Sequence, residues 1–201
     1  MAGLFQPAAG VPGGAAVALD EVEISILRSL AVQLLELIGP GPGADEAGGE
    51  QDPLAALMTD GPTEPPSDPA LARLFPDAYG GPGAGGDEKT REAAAEFRRY
   101  TENDLRARKR EDGLAVVRTL DSLAPAGEGG AVLTLTPEQS RRWLGALNDL
   151  RLAIGARLEI ADDEDGDELY ALPDGDPRKP MVMAYLWLGA LQESLVETLA
   201  P

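Results

Sequence analysis

The two residue types that carry most enzyme chemistry near neutral pH, histidine and cysteine, are both missing from this chain of 201 residues. Without histidine there is no usual general base and no HExxH zinc site. Without cysteine there is no thiolate nucleophile, no disulfide and no cysteine-ligated metal. We therefore expect no catalytic residue, no cofactor and a protein that is not an enzyme.

Two glycine-rich stretches resemble nucleotide-binding motifs but lack the context that those motifs require. Residues 81–86 (GPGAGG) match GxGxxG literally, yet they follow a short predicted helix rather than a buried strand. Residues 83–90 (GAGGDEKT) end like a P-loop, yet Glu88 stands where the phosphate cradle needs glycine, and its carboxylate would repel phosphate. We predict a linker here and no nucleotide site.

Acidic residues could still bind a cation or act as acids and bases. Residues 162–168 suggest a calcium loop, but aligning Gly166 with the sixth position of an EF-hand puts Ala161 at position one and Leu172 at position twelve. Two ligands are then lost, so we predict a solvated loop, with weak cation binding as the alternative and no metal site. None of the 35 acidic residues is expected in an apolar stripe, where burial would raise its pKa.

Basic residues cluster between residues 98 and 110. The surrounding segment, residues 87–112, holds eight acids and eight bases, several of them spaced for ion pairs along a helix. Two interpretations stay open: a contact for an acidic partner or, less readily, for phosphate, and a salt-bridged surface helix, which the zero net charge of the segment favours. The candidate partner-contact residues are Arg98, Arg99, Arg106, Lys109 and Arg110.

Large apolar side chains are few in that segment, and we predict that they form its thin buried stripe: Phe97, Tyr100 and Leu105. Elsewhere, Trp143, Tyr185 and Trp187 could mark an interface, where aromatic residues are enriched. Trp143 lies on the apolar face of its predicted helix, however, and Trp187 is spaced with other apolar residues of the last helix. Core packing is therefore the favoured interpretation.

Helix signals are strongest at two places. Asp20 with Glu23, and Thr136 with Gln139, each have the spacing of a capping box. Apolar residues then recur every three or four positions, and Gly39 followed by proline stops the first helix. Further helices are predicted over residues 69–75, over residues 87–112 with a break near Gly113 and a continuation at 114–123, and from about residue 181 to 199.

Strand signals are weaker. Residues 17–19 and 131–135 each run directly into a capping box, an internal echo that could place two strands in one small sheet. Residues 169–172 are predicted as an edge strand. The predicted fold class is mainly α: a compact bundle of about four to five helices with a small accessory β-sheet and two mobile Gly/Pro-rich loops.

Composition predicts the domain organisation. With 43% apolar residues, the chain suits a single helical domain over 1–201, with disordered insertions at about 40–67 and 80–87, where glycine and proline concentrate. The last helix is apolar nearly all round from residue 181 to 191. It is therefore predicted to be either the central helix of the core or a homodimer interface formed by residues 181–199.

Charge and hydropathy limit the location and the partners. The formal net charge of -18 repels phosphates and anionic lipid, so nucleic acid is a disfavoured partner. The longest uncharged apolar stretch, residues 181–191, is shorter than the roughly 20 residues that cross a bilayer, and the amino terminus has no signal-peptide pattern. We expect a cytoplasmic protein without membrane contact.

Three stretches are similar to a known family: residues 141–153 (RRWLGALNDLRLA), 185–196 (YLWLGALQESLV) and 97–102 (FRRYTE). They resemble the actinobacterial family known as domain of unknown function 2017, over most of the chain outside its two loops. The resemblance implies regulation, since members are sometimes labelled transcriptional regulators and tend to be encoded near the adaptor of the Clp protease. This chain departs from the family pattern in its expanded loops and less basic amino terminus.

Three functions remain open. The favoured one is a non-enzymatic regulatory or adaptor protein that acts by protein–protein contact, for which the resemblance implies a link to Clp-type proteolysis. The first alternative is a DNA-binding regulator with residues 136–160 as recognition helix, although basic residues there exceed acidic ones by only one. The second is a metal-dependent enzyme that uses carboxylates and arginines.

Overall fold

The computed structural model describes residues 3–40, 60–80, 87–123, 129–160, 169 and 171–199. Over these residues the chain forms five helices and a small sheet, which confirms the mainly α fold class. The strands are β1 Gln6–Pro7, β2 Ala15–Leu19 and β3 Ala131–Leu135. The helices are α1 Glu21–Ile38, α2 Pro69–Leu74, α3 Glu88–Asp121, α4 Pro137–Arg157 and α5 Lys179–Leu199.

Both predicted capping boxes are present and define where α1 and α4 begin. The Asp20 carboxylate accepts the backbone N–H of Glu23 at 2.8 Å, and the Glu23 carboxylate accepts the N–H of Asp20 at 2.9 Å. Thr136 and Gln139 make the same reciprocal pair, at 3.2 and 2.9 Å. Because each cap directly follows a strand, β2 and β3 turn into their helices without an intervening loop.

The sheet is antiparallel in the order β1-β2-β3. Ala15 lies opposite Leu135 and Leu19 opposite Ala131, so the predicted pairing of the two strands is confirmed. Alternate residues of both strands point into the core. The predicted edge strand at residues 169–172 is wrong where the chain is described. Leu169 is helical, and its side chain is buried in the core, so it does not pair along the edge of the sheet.

The predicted break near Gly113 is also wrong, because α3 runs continuously through it. Gly113 is buried where α3 crosses α1, and a Cβ atom at this position would lie 3.1 Å from Cδ2 of Leu35. The glycine therefore serves close helix packing rather than helix termination. The interior bonds of a 34-residue helix outweigh the intrinsic cost of one glycine.

The centre of the core is α4, which contacts α1, α2, α3 and α5. Trp143 is fully buried there, donates its indole N–H to the Thr119 hydroxyl at 2.9 Å, and meets the ring of Phe5 edge-on. Its predicted core role is confirmed, while Tyr185 and Trp187 pack half-buried against the same core. Because α4 holds the centre, α5 flanks it, and a homodimer through α5 stays a prediction.

The two predicted insertions fall mostly outside the described residues, which omit 41–59 and 81–86. The described end of the first insertion, residues 60–67, approaches α3. There the N–H of Gly61 donates to the carbonyl of Arg99 at 2.9 Å, and a Cβ atom on Gly61 would lie 2.7 Å from that oxygen. This part of the insertion is held close to the long helix by backbone contact.

Candidate functional site

The amino-terminal half of α3 buries charged residues and exposes apolar ones. Arg98 is 4% exposed and Glu102 is 3% exposed, whereas Phe97 is 46% exposed and Tyr100 is 63% exposed. The predicted buried stripe of Phe97, Tyr100 and Leu105 is therefore wrong. The inward face of α3 meets backbone carbonyls and carboxylates, which require hydrogen-bond donors that aromatic rings do not supply.

Arg98 lies at the centre of this buried polar face. Its guanidinium donates to the carboxylate of Glu102, to the carboxylate of Asp77 at 2.8 Å and to the carbonyl of Phe75 at 3.0 Å. Burial opposes the charge on this side chain, but the bonds to Asp77 and Glu102 outweigh it and raise the pKa of Arg98. The residue ties α3 to the turn that follows α2.

Two further arginines bind the carboxyl-terminal end of α1, whose last turn has no basic residue of its own. Arg106 donates to the carbonyl of Ile38 and to Glu102 at 2.7 Å, and its guanidinium lies over the ring of Phe75. Arg110 donates to the carbonyl of Gly39. These cations satisfy carbonyls that the end of a helix leaves unpaired and offset its negative dipole.

Lys109 forms the link between α3 and α4. Its ammonium lies 2.5 Å from the carboxylate of Asp149, and both side chains are largely buried. Burial raises the pKa of Asp149, and the bond to Lys109 opposes part of that rise. The expectation that no acidic residue lies in an apolar stripe is therefore wrong, since Asp149 shares the buried face of α4 with Leu150.

All five candidate partner-contact residues donate within the chain, and four of them do so on the inward side of α3: Arg98, Arg106, Lys109 and Arg110. The fifth, Arg99, lies on the outside, 2.5 Å from the carboxylate of Asp60 and over the ring of Tyr100. A partner contact by the cluster stays a prediction, and its geometry favours Arg99. The sequence contains a signal for the inward row, because residues 98, 102, 106 and 110 recur at every fourth position.

Exposed, mostly aromatic side chains form a surface along the same helix. We define this aromatic surface as Tyr79 of the turn after α2 together with Phe97, Tyr100 and Leu105 of α3. The rings of Tyr79 and Phe97 meet edge-on with centroids 6.0 Å apart. Phe97 and Leu105 border a cleft of about 230 Å³ whose other wall is formed by residues 75–78. Exposed aromatic residues beside an arginine are the side chains that most often anchor a protein partner. Sequence reasoning missed Tyr79, which lies in a turn without a periodic pattern.

A second surface feature is an apolar groove of about 500 Å³ between α1, α4 and α5. Leu30, Leu34 and Leu37 line one wall, while Ile154 and Met181 belong to the others. The groove holds few groups that could orient a polar substrate. It offers an apolar environment rather than a reactive one.

The described residues contain no group of three side chains of the metal-ligating types close enough to hold an ion. The acidic run at 162–168 and the glycine-rich run at 81–86 lie outside the described part of the chain. Among the described helices, none has the length and apolar character needed to cross a membrane.

Together these features define a class: a mainly α protein with a central helix, a long helix that buries an ion-pair network, and aromatic side chains displayed outward. The chain belongs to the family described as domain of unknown function DUF2017, whose model matches residues 5–199. The family resemblance inferred from sequence is confirmed.

Mycobacterial proteins are among its relatives. The chain is 31% identical over 179 residues to the oxidative stress regulator AosR of Mycobacterium tuberculosis H37Rv and to that of Mycobacterium bovis, covering 87% of this chain and 77% of each relative. A Mycobacterium leprae relative is 33% identical over 185 residues, with the same coverage. No solved structure matches the chain significantly.

Proposed function

We propose that this protein is a non-enzymatic, cytoplasmic regulator of the response to oxidative stress that acts by binding another protein. The regulatory part is supported by the name of its mycobacterial relatives. The non-enzymatic part is supported by a sequence without histidine or cysteine. The mode of action is carried by one observation, the outward aromatic surface of α3.

Exposing this surface to water has a cost that partner binding would remove. Apolar area is stabilised by about 25 cal/mol for each Å² withdrawn from water, and Phe97 and Tyr100 are 46% and 63% exposed. Both residues lie on a rigid helix, so little conformational entropy would be lost on binding. A partner that fits would offer an apolar pocket for the rings.

The charge of this protein further defines the partner. With a formal net charge of -18, the chain attracts a partner whose interface is rimmed by basic residues and repels one that is acidic. A link to Clp-type proteolysis rests on the family resemblance alone. The affinity capture described below identifies the partner, and its identity distinguishes a role in proteolysis from a role in transcription.

Direct binding of DNA is the weaker alternative. A recognition helix needs one free face to enter the major groove, whereas α4 is packed against four other helices. Three of the strongest basic candidates on α3, at positions 98, 106 and 110, bind groups within the chain. A regulator built this way would act on transcription through another protein.

The test is affinity capture of tagged protein from its native cytoplasm after nuclease treatment. We expect a stoichiometric protein partner with the unmodified chain and at least about tenfold less of it with a Phe97→Ala, Tyr100→Ala double variant, since two interface anchors contribute more than about 1.4 kcal/mol together. The matched control is Val22→Ala, Val132→Ala, which truncates two exposed apolar side chains elsewhere, at 65% and 61% exposure.

Both double variants should keep the unfolding free energy of the parent within about 0.5 kcal/mol for each substitution, because the side chains are exposed. Partner capture that is unchanged by Phe97→Ala, Tyr100→Ala would remove the aromatic surface from the proposal. Recovery of material only without nuclease treatment would favour the DNA-binding alternative.

A further inference from the structure

Two exposed methionines lie at the start of α5. Met181 is 43% exposed and Met183 is 49% exposed, and the chain contains no cysteine. A thioether is therefore the sulfur group that this protein can offer to an oxidant. Because the two residues are two positions apart, their side chains point to different sides of the helix.

Their surroundings differ. Met181 lines the apolar groove together with Leu30 and Leu37 of α1 and Ile154 of α4, whereas Met183 does not line it. The groove lining includes two polar side chains, Gln33 and Arg157, and Arg157 is paired with Asp68 at 2.7 Å. An oxygen atom on the sulfur of Met181 would add a polar group to this largely apolar lining.

We propose that Met181 is an oxidation site through which a peroxide loosens the packing of α5 on α4, the helix that α5 contacts most extensively. The sulfur lone pair attacks one oxygen of hydrogen peroxide, the O–O bond breaks, and a sulfur–oxygen bond forms. The second oxygen leaves as water after proton transfer. The thioether is oxidised to a sulfoxide and the peroxide is reduced, so no further reactant is needed.

Oxidation of Met181 would destabilise the protein because it makes this side chain more polar. A sulfoxide is far more polar than a thioether, and its hydration is lost wherever it contacts the groove wall. Oxidation at Met183 would leave the new oxygen in water. The inference rests on the proposed function for its biological meaning, since it supplies an oxidant-sensitive group in a stress regulator that has no thiol.

The experiment uses the full-length protein in graded hydrogen peroxide. Peptide mass mapping follows oxygen addition at each methionine, and thermal unfolding follows Tm. The variants Met181→Leu and Met183→Leu nearly conserve side-chain volume. We expect oxygen addition at both positions, with a fall in Tm of about 2–4 °C in the unmodified protein and in Met183→Leu and no fall in Met181→Leu.

Two results would overturn the inference. One is an unmodified Met181 at a peroxide dose that oxidises the same residue in urea-unfolded chain. The other is a fall in Tm that is as large in Met181→Leu as in the unmodified protein. Neither readout involves a binding partner, so failure here is separate from failure of the capture experiment.

Discussion

At Glu102 a single buried carboxylate serves two guanidinium groups. One oxygen accepts from Arg98 and the other from Arg106, four residues away on either side along α3. Desolvating such charges is costly, and the cost is offset only while every partner is present. Charge here is structural, because Glu102 holds two arginines of α3 that in turn bind the turn after α2 and the end of α1.

Substituting Glu102→Gln should therefore destabilise the fold strongly. The amide keeps the shape but removes the negative charge, which leaves two guanidinium groups without their shared counter-ion. We expect the unfolding free energy from urea titration to fall by about 3–5 kcal/mol. Glu92→Gln is the matched control, since Glu92 is exposed on the same helix and its substitution should cost less than about 0.5 kcal/mol. Equal losses in the two variants would contradict a structural role for the buried network.

At the scale of elements, α3 is the spine of the molecule. Its 34 residues span about 51 Å and contact the residues after α2 at one end and α1 and α4 further along. Residues 98–110 are joined to neighbouring elements by charge, and the last turns of the helix by apolar side chains such as Val116 and Leu120. Gly113 lies between these two segments, at the crossing with α1, where its lack of a side chain permits close approach.

Enlarging Gly113 should separate α1 from α3. A valine at this position would push against Leu35, so we expect Gly113→Val to lower the unfolding free energy by about 1–3 kcal/mol. In Gly145→Ala the new Cβ would meet only the carboxylate tip of Asp112, at 2.6 Å, which can swing away. That control should be neutral or up to about 1 kcal/mol more stable. A Gly113→Val protein as stable as its parent in urea would show that the crossing is loose.

For the whole molecule, the distribution of charge matters more than its sum. The chain carries 17 basic and 35 acidic residues. Four basic residues of α3 donate hydrogen bonds to groups inside the protein: Arg98, Arg106, Lys109 and Arg110. Three carboxylates pair with these bases, at Asp77, Glu102 and Asp149, so the internal charges largely cancel and the acidic excess is carried by the rest of the chain. This favours a partner with a basic rim and disfavours a phosphate backbone.

The response to acid depends on carboxylates that join separate elements. Asp68 caps α2 and pairs with Arg157 of α4. Backbone N–H groups, chiefly that of Leu71, and the Arg157 guanidinium lower the pKa of Asp68 below its ordinary value of 3.8. Because the folded pKa is depressed, this stabilisation is present above pH 3.8 and is lost as the pH falls through the folded pKa.

We expect Asp68→Ala to unfold at lower urea than its parent at pH 7, and the gap between the two midpoints to close as the pH is lowered below 3.8. Urea titrations from neutral to strongly acidic pH measure both. Asp174→Ala, at an exposed position, is the comparison and should show little gap at any pH. A gap for Asp68→Ala that persists in strong acid would mean that the carboxylate charge is not its cause.

Local signals in the sequence determined where α1 and α4 begin and that Trp143 is buried, and the repeated strand-then-cap pattern indicated that β2 and β3 belong to one sheet. Capping boxes and apolar periodicity act over three to seven residues, so they are readable without the fold. The same signals were insufficient at Gly113 and Leu169, where a contact from a distant segment decides between a break and a crossing, or between a strand and a helical turn.

The candidate site divides in the same way. The sequence by itself determined that bases cluster on one helix and that histidine and cysteine chemistry is absent. Only the tertiary structure decided which side of that helix faces inward, because the deciding groups are carbonyls at Ile38 and Gly39 and the carboxylate of Asp149, remote along the chain. These buried acceptors need hydrogen-bond donors. The basic side chains of α3 therefore face inward, and its aromatic rings face outward.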